Sequence, residues 1–266
     1  MLKKLLLPLI LLASVPAIKA TPILPAGVTL EQAQKAKKET LWDIHNVPAQ
    51  KEGGGSKAKA ALFFKTAPKW EMARAVLNPV NFVTLLKDIY IDLPKSADSS
   101  GEAYVTIFQK RNFPGLAATV EKLSNAYKPR EGMLELIKKL DAKSVTQRLA
   151  SNIGPRLLES LKTKFKEQYN NNLFDYLKPG KIVSYNGQKG DHLASIGKPD
   201  FIFYDEFNAV YPKQSPAELN VFIDDKLENV QNGVTKGWIG IHFDLKAKDP
   251  MANLYKDLQA VGFDIQ

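Results

Sequence analysis

Apolar and polar residues follow two rhythms along this chain, and the rhythms alternate. Short apolar, β-branched or aromatic runs at residues 40–44, 145–150, 219–224 and 238–243 suit buried strands. Between and around them, apolar residues recur at three- and four-residue spacing. That spacing predicts helices over 30–38, 132–140, 155–167, 201–210, 227–236 and 253–261. Strands alternating with helices imply a parallel sheet covered on both faces: an α/β, doubly wound, Rossmann-like core.

The stretch from 53 to 127 breaks this alternation. Helical patterns at 57–65, 69–77, 81–89 and 116–127 follow one another, with a Ser- and Gly-containing loop at 96–101. Gly53-Gly-Gly-Ser56 is the sharpest break in composition and reads as a hinge. The expected organisation is a core piece at 21–52 with the first strand, an inserted helical cap at 53–127, and the rest of the core at 128–266. The hinges fall near residues 53–55 and 128–132. No internal repeat or heptad pattern is visible.

Residues 1–20 carry a third pattern. Lys3 and Lys4 precede an apolar run at 5–12, and small residues follow before Thr21. This is the layout of a secretory signal peptide cut after Ala17 or Ala20. Pro8 and Pro16 interrupt the run, which falls short of the ~20 residues of a membrane span. The expectation is a mature protein that is soluble in a periplasm or outside the cell, with no stable membrane insertion after cleavage.

Charge and composition narrow the chemistry. The 37 Lys and Arg outnumber 28 Asp and Glu, and loss of Lys3, Lys4 and Lys19 lowers the formal charge from +9 to +6. The lysines are dispersed and no basic stripe is interleaved with aromatics, so nucleic acid is not an expected partner. A basic surface would help collect anionic substrates such as phosphate esters, and solubility alone accounts for it equally well. The absence of cysteine excludes a disulfide framework, a thiolate zinc site, an iron–sulfur cluster, a cysteine nucleophile and a lipoprotein anchor. With three histidines, metal chemistry points to oxygen ligands and a hard cation such as Mg²⁺.

Acidic residues fall where such an ion would sit. Asp43 ends the first predicted strand, and Asp224 and Asp225 end a later one. Ligands of open α/β sheets bind outside the carboxyl ends of strands, where these carboxylates would repel one another without a cation. An Asp there can also attack phosphorus to give an aspartyl-phosphate. Helix caps and turn residues produce the same pattern, so both readings stay open on the Asp positions alone.

Four segments, in order, carry a family likeness. They are Leu41-Trp-Asp-Ile-His-Asn-Val47, Leu149-Ala-Ser-Asn-Ile-Gly154, Gly197-Lys-Pro-Asp200 and Val221-Phe-Ile-Asp-Asp-Lys-Leu-Glu-Asn-Val230. Together they resemble the motifs of the haloacid dehalogenase (HAD)-like hydrolase superfamily, in its branch with a helical cap after the first motif. The likeness implies that Asp43 is the nucleophile and that Ser151 and Asn152 bind the transferred phosphoryl. Lys198 then offsets charge on both nucleophile and phosphate. Asp43, the His45 backbone carbonyl and Asp225 bind Mg²⁺ with Asp224 close by, and Asn229 orients the carboxylates. The implied activity is Mg²⁺-dependent hydrolysis of a small phosphate monoester, and dehalogenation fits a secreted protein less well.

One position departs from the pattern. Phosphatases of this superfamily usually carry a second Asp two residues after the nucleophile, where this chain has His45. Residues i and i+2 of a strand face the same side, and an imidazole with a reference pKa of ~6.5 can serve as a general acid. Two alternatives stand beside that reading: only the His45 backbone is used, or the protein is a weak or inactive enzyme that acts as a binding module. His192 reads as a loop residue and His242 as a strand residue.

Overall fold

The computed structural model describes residues 22–51, 62–77, 83–84, 102–124, 126–183, 193–194, 196–213, 215 and 217–266. Helix α1 (Leu30–Lys35) leads into β1 (Lys37–Trp42), and a short strand β2 (Ala49–Lys51) follows. Helices α2 (Lys69–Leu77), α3 (Glu102–Lys110) and α4 (Pro114–Ser124) come next. Strand β3 (Tyr127–Pro129) then pairs antiparallel with β2. The alternation resumes with α5 (Met133–Ala142), β4 (Thr146–Ser151), α6 (Pro155–Tyr169), β5 (Lys178–Val183) and β6 (Leu193–Ala194). It ends with α7 (Phe201–Val210), β7 (Glu218–Asp224), α8 (Leu227–Thr235), β8 (Ile239–His242) and α9 (Pro250–Ala260).

Six strands form one parallel sheet in the order β6-β5-β4-β1-β7-β8. Alternate residues of its strands feed two separate cores, as the two-residue side-chain period requires. On one face, Trp42, Leu149, Val221 and Ile223 join Leu136, Ile137, Leu140, Leu157, Leu161, Phe165, Leu254 and Leu258 from α5, α6 and α9. On the other, Leu41, Ala150 and Phe222 meet Phe203, Tyr204 and Phe207 of α7, with Trp238 beside them. The sheet is therefore doubly wound. Helices α2, α3 and α4 share a smaller apolar cluster of their own, built on Ala75, Val105, Phe108, Phe113, Leu116 and Ala117. Glu71 of α2 is buried there and caps α4 by accepting from the backbone N–H groups of Gly115 and Leu116.

Most predicted elements form within a few residues of their expected limits. The helix expected over 30–38 stops at Lys35, where Ala36 turns to extended backbone (ψ 148°) and β1 starts at Lys37. The Lys38 ammonium reaches back to the carbonyls of Ala33, Gln34 and Ala36 and satisfies that end of the helix. The helix expected over 116–127 ends at Ser124, and Tyr127 belongs to β3 instead. Strands β2, β3, β5 and β6 had no counterpart in the pattern. The signal segment at 1–20, the hinge at 53–55, most of the helical patterns at 57–65 and 81–89, the loop at 96–101 and His192 lie outside the described residues.

Candidate active site

Strand register builds the site. β1 lies between β4 and β7, with Trp42 opposite Leu149 on one side and Ile223 on the other. One residue further on, the Asp43 N–H still donates to the Ile223 carbonyl at 3.0 Å. The same carboxyl edge carries Ser151 at the end of β4 and Asp224 at the end of β7. The chain runs outward to β4, β5 and β6 on one side of β1, then crosses to β7 and β8 on the other. Crevices in doubly wound sheets form at such a switch point.

Asp43 is buried, and its Oδ1 accepts from the Ser151 hydroxyl at 2.7 Å and from the Lys198 ammonium at 2.9 Å. Lys198 also donates to Asp224 Oδ2 at 2.6 Å and to the Ala150 carbonyl at 2.6 Å. The Asn152 side chain locks the lysine's backbone: its Oδ1 accepts from Lys198 N–H and its Nδ2 donates to Lys198 C=O, each at 2.7 Å. Burial acts to raise the Asp43 pKa. Attraction to Lys198, then His45, and the hydrogen bonds from Lys198 and Ser151 outweigh it and hold the carboxyl below its usual range. Burial likewise acts to lower the Lys198 pKa, but Asp224 and Asp43 keep it above that of an ordinary lysine.

The acidic pair on β7 is fixed by a second set of contacts. Asn229 Nδ2 lies 3.0 Å from both Asp224 oxygens, and the Lys226 N–H donates to Asp224 Oδ1 at 2.8 Å. Asn229 is itself steadied by the buried Tyr204, whose hydroxyl donates to its carbonyl at 2.9 Å. Asn46, in the left-handed region at φ 63°, donates to Asp225 Oδ2 at 2.7 Å. Burial pushes the Asp224 pKa up to about 6, with Lys198 opposing and Asp43 adding to the rise. Burial, with Asp43, raises that of Asp225 too.

One oxygen from each of Asp43, Asp224 and Asp225 can be chosen so that all three lie within 4.8 Å of one another. Three carboxylates this close, two of them with raised pKa values and all-oxygen donors, fit a hard divalent cation better than they fit one another.

His45 lines the same crevice, together with Asn46, Lys51, Tyr127, Asn152, Lys198, Lys226 and Asn229. Its ring packs against Tyr127 with centroids 5.0 Å apart. The structure thus brings together every site residue expected from the sequence: Asp43, His45, Ser151, Asn152, Lys198, Asp224 and Asp225. Sequence reasoning missed Lys51, Tyr127 and Arg130. Arg130 donates to the carbonyls of Asn46 and Val47 at 2.6 and 2.8 Å and braces the loop after Asp43. All three belong to, or directly follow, the short β2–β3 ribbon, which has too few residues to leave a periodic signal. His242 is a strand residue as expected, with Nε2 at 3.1 Å from the Asp225 carbonyl.

The chain is thus a doubly wound α/β protein whose crevice, at the central carboxyl edge of the sheet, is acidic and holds a buried lysine. No family model matches the chain. It superposes on the HAD family enzyme bt-2542 of Bacteroides thetaiotaomicron with a TM-score of 0.55 and 17% identity, over 83% of this chain and 99% of that one. The magnesium complex of the same enzyme gives a TM-score of 0.55 at 16% identity, over 84% and 100% of the two chains. Its complex with magnesium and inorganic phosphate gives 0.52 at 15%, over 83% and 99%. In sequence, the chain is 26% identical over 163 residues to sesquiterpene phosphatase astK of Aspergillus oryzae, covering 60% of this chain and 73% of that protein. The fold is that of the HAD-like hydrolases.

Proposed function

We propose that this protein is a Mg²⁺-dependent phosphohydrolase that cleaves small phosphate monoesters through an aspartyl-phosphate on Asp43. The observation that carries the reading is the convergence of Asp43, Ser151, Lys198 and the Asp224–Asp225 pair at one carboxyl edge. The similarity to a phosphatase, and to an enzyme crystallised with magnesium and phosphate, supports it.

In this reading Asp43 is ionised at neutral pH and attacks phosphorus in line, breaking the bond to the ester oxygen. Ser151 holds the phosphoryl oxygens, and Lys198, positioned by the Asn152 side chain, offsets the charge that accumulates on them. His45 delivers a proton to the departing alcohol. Water then hydrolyses the aspartyl-phosphate and regenerates Asp43. Asp43, the His45 carbonyl and Asp225 would hold Mg²⁺ with Asp224 beside them, and the ion would supply charge neutralisation to the phosphate oxygens. Helices α2 to α4, within the proposed 53–127 cap, would close over the substrate and exclude water during the first step.

The Asp43→Asn protein is expected to keep its fold, judged by circular dichroism, and to lose at least about a thousandfold in turnover of an aryl phosphate. Residual turnover near that of wild type removes the nucleophile assignment and favours a binding module on this scaffold. The proposed location is periplasmic or extracellular. N-terminal sequencing of exported protein should start at Ile18 or Thr21, and a protein that stays in the cell with residues 1–20 attached contradicts export.

A further inference from the structure

Two lysines to which the motif resemblance gives no role border the crevice at Asp43. They are Lys51, at the end of β2, and Lys226, directly after the Asp224–Asp225 pair. Lys51 and Tyr127 are direct partners in the antiparallel β2–β3 ladder, and directly opposed residues present their side chains on one face. Tyr127 packs on the His45 ring, so the shared face is the one turned to the site. Lys226 is exposed, and its charge acts on Asp225. Neither lysine is drawn into a salt bridge among the described residues.

The other cations of the site are already in use. All three ammonium donors of Lys198 are taken, by Asp43, Asp224 and the Ala150 carbonyl, which leaves direct hydrogen bonds to phosphoryl oxygens to other groups. Arg130 feels Asp225 from behind the loop, but its guanidinium donates to the Asn46 and Val47 carbonyls and lies 4.8 Å over the Phe243 ring, outside the crevice. Ionised Asp43, Asp224 and Asp225 bring three negative charges, which Lys198 and one divalent cation offset without surplus. A phosphate monoester arrives with close to two negative charges at neutral pH and above. Lys51 and Lys226 supply the two positive charges that match it.

Building on the phosphohydrolase reading, we propose that Lys51 and Lys226 are specificity-determining residues that bind the non-bridging oxygens of the transferred phosphoryl group. By matching a doubly charged headgroup they favour phosphate monoesters over phosphodiesters and carboxylates, each of which brings a single charge.

Calorimetric titration of the whole chain in excess Mg²⁺, at mildly alkaline pH, tests this with two ligands that have no ester bond to cleave. Methylphosphonate is a dianion there, and dimethylphosphinate, of nearly the same shape, is a monoanion. The wild type is expected to bind methylphosphonate about tenfold or more tightly than dimethylphosphinate. Lys51→Gln should weaken methylphosphonate about tenfold or more and dimethylphosphinate less than about threefold, and Lys51→Arg should retain most of the preference. Lys226→Gln should act in the same direction, by about threefold or more on the dianion. Mg²⁺ alone should bind the Lys51→Gln protein as it binds the wild type, which shows an intact crevice. Absence of a preference for the dianion in the wild type overturns the proposal. So does a Lys51→Gln protein that keeps the preference, or one that loses both ligands equally. Binding and turnover are read separately, so the two readings fail separately. A chain that prefers the dianion through Lys51 yet hydrolyses no ester refutes only the phosphohydrolase reading, and an active chain without the preference refutes only this one.

Discussion

His45 occupies the position where a carboxylic acid is the familiar proton donor, and its surroundings bear on whether it serves instead. The side chain is buried, lines the crevice with Asp43 and is held in contact with Tyr127. A general acid matters most when the departing oxygen is a poor leaving group. The His45→Ala protein should therefore lose about a hundredfold or more with an alkyl phosphate, and less than about tenfold with p-nitrophenyl phosphate. An equal loss with both would leave only the backbone of His45 in use. The candidate site was legible in the sequence where its residues sit in linear motifs: Asp43, Ser151, Lys198, Asp224 and Asp225 each follow or end a recognisable segment. Their grouping around Lys198 was legible only through the motif resemblance, since the 2.6 and 2.9 Å contacts to Asp224 and Asp43 join residues 26 and 155 positions away, which no linear pattern registers. Losing that lysine would strand two buried carboxylates, at a cost of about 3–5 kcal/mol.

Among the elements, α9 carries a buried charge with a readable consequence. Asp257 is 3% exposed, and burial pushes its pKa up to about 6 against an ordinary 3.8, with Lys256 opposing. The folded state thus holds a proton that the unfolded chain releases between those values. Stability falls as pH rises through that window, and the charged group is a burden above it. Asp257→Asn is expected to raise Tm by a few degrees at neutral pH, with the gain vanishing near pH 4, as read by thermal denaturation across a pH series. A gain independent of pH would assign the effect to packing. Element legibility varied for physical reasons. β7 was visible because its apolar residues are contiguous and buried. β5 was hidden because Lys178-Pro-Gly-Lys181 carries the composition of a turn. Gly180 belongs in that strand because a Cβ there would lie 2.0 Å from the Leu149 carbonyl oxygen, at the point where the β4–β5 register shifts. Close approach of two backbones selected the glycine, and a linear pattern cannot register a neighbouring strand.

At the scale of the whole molecule, the strand order decides which chain segments meet. Alternating strands and helices implied the doubly wound class. They did not imply that β1 lies between β4 and β7, which is what sets Asp43 between Ser151 and Asp224. The motif resemblance supplied that convergence in advance, because it tied the four segments to one crevice. If the acidic triad holds Mg²⁺, the ion couples the ends of β1 and β7, and the fold should respond to it as a unit. At a hundredfold excess over its Kd, Mg²⁺ should stabilise the protein by about 2.7 kcal/mol, a rise of several degrees in Tm. Chelation should reverse the shift and Asp225→Asn should remove most of it. Identical melting with Mg²⁺ and with chelator would show that the carboxylates serve another purpose.

The sheet's last strand also bears on how the protein can be handled. Ile23 exchanges backbone hydrogen bonds of 2.8 Å with Gly240, laying the beginning of the described chain against the outer rim of β8. Exposed rims of this kind recruit strands from other molecules. A recombinant form trimmed past Ile23 would uncover this one, and solubility would suffer before catalysis did. Truncations that stop short of Ile23 leave that clasp shut.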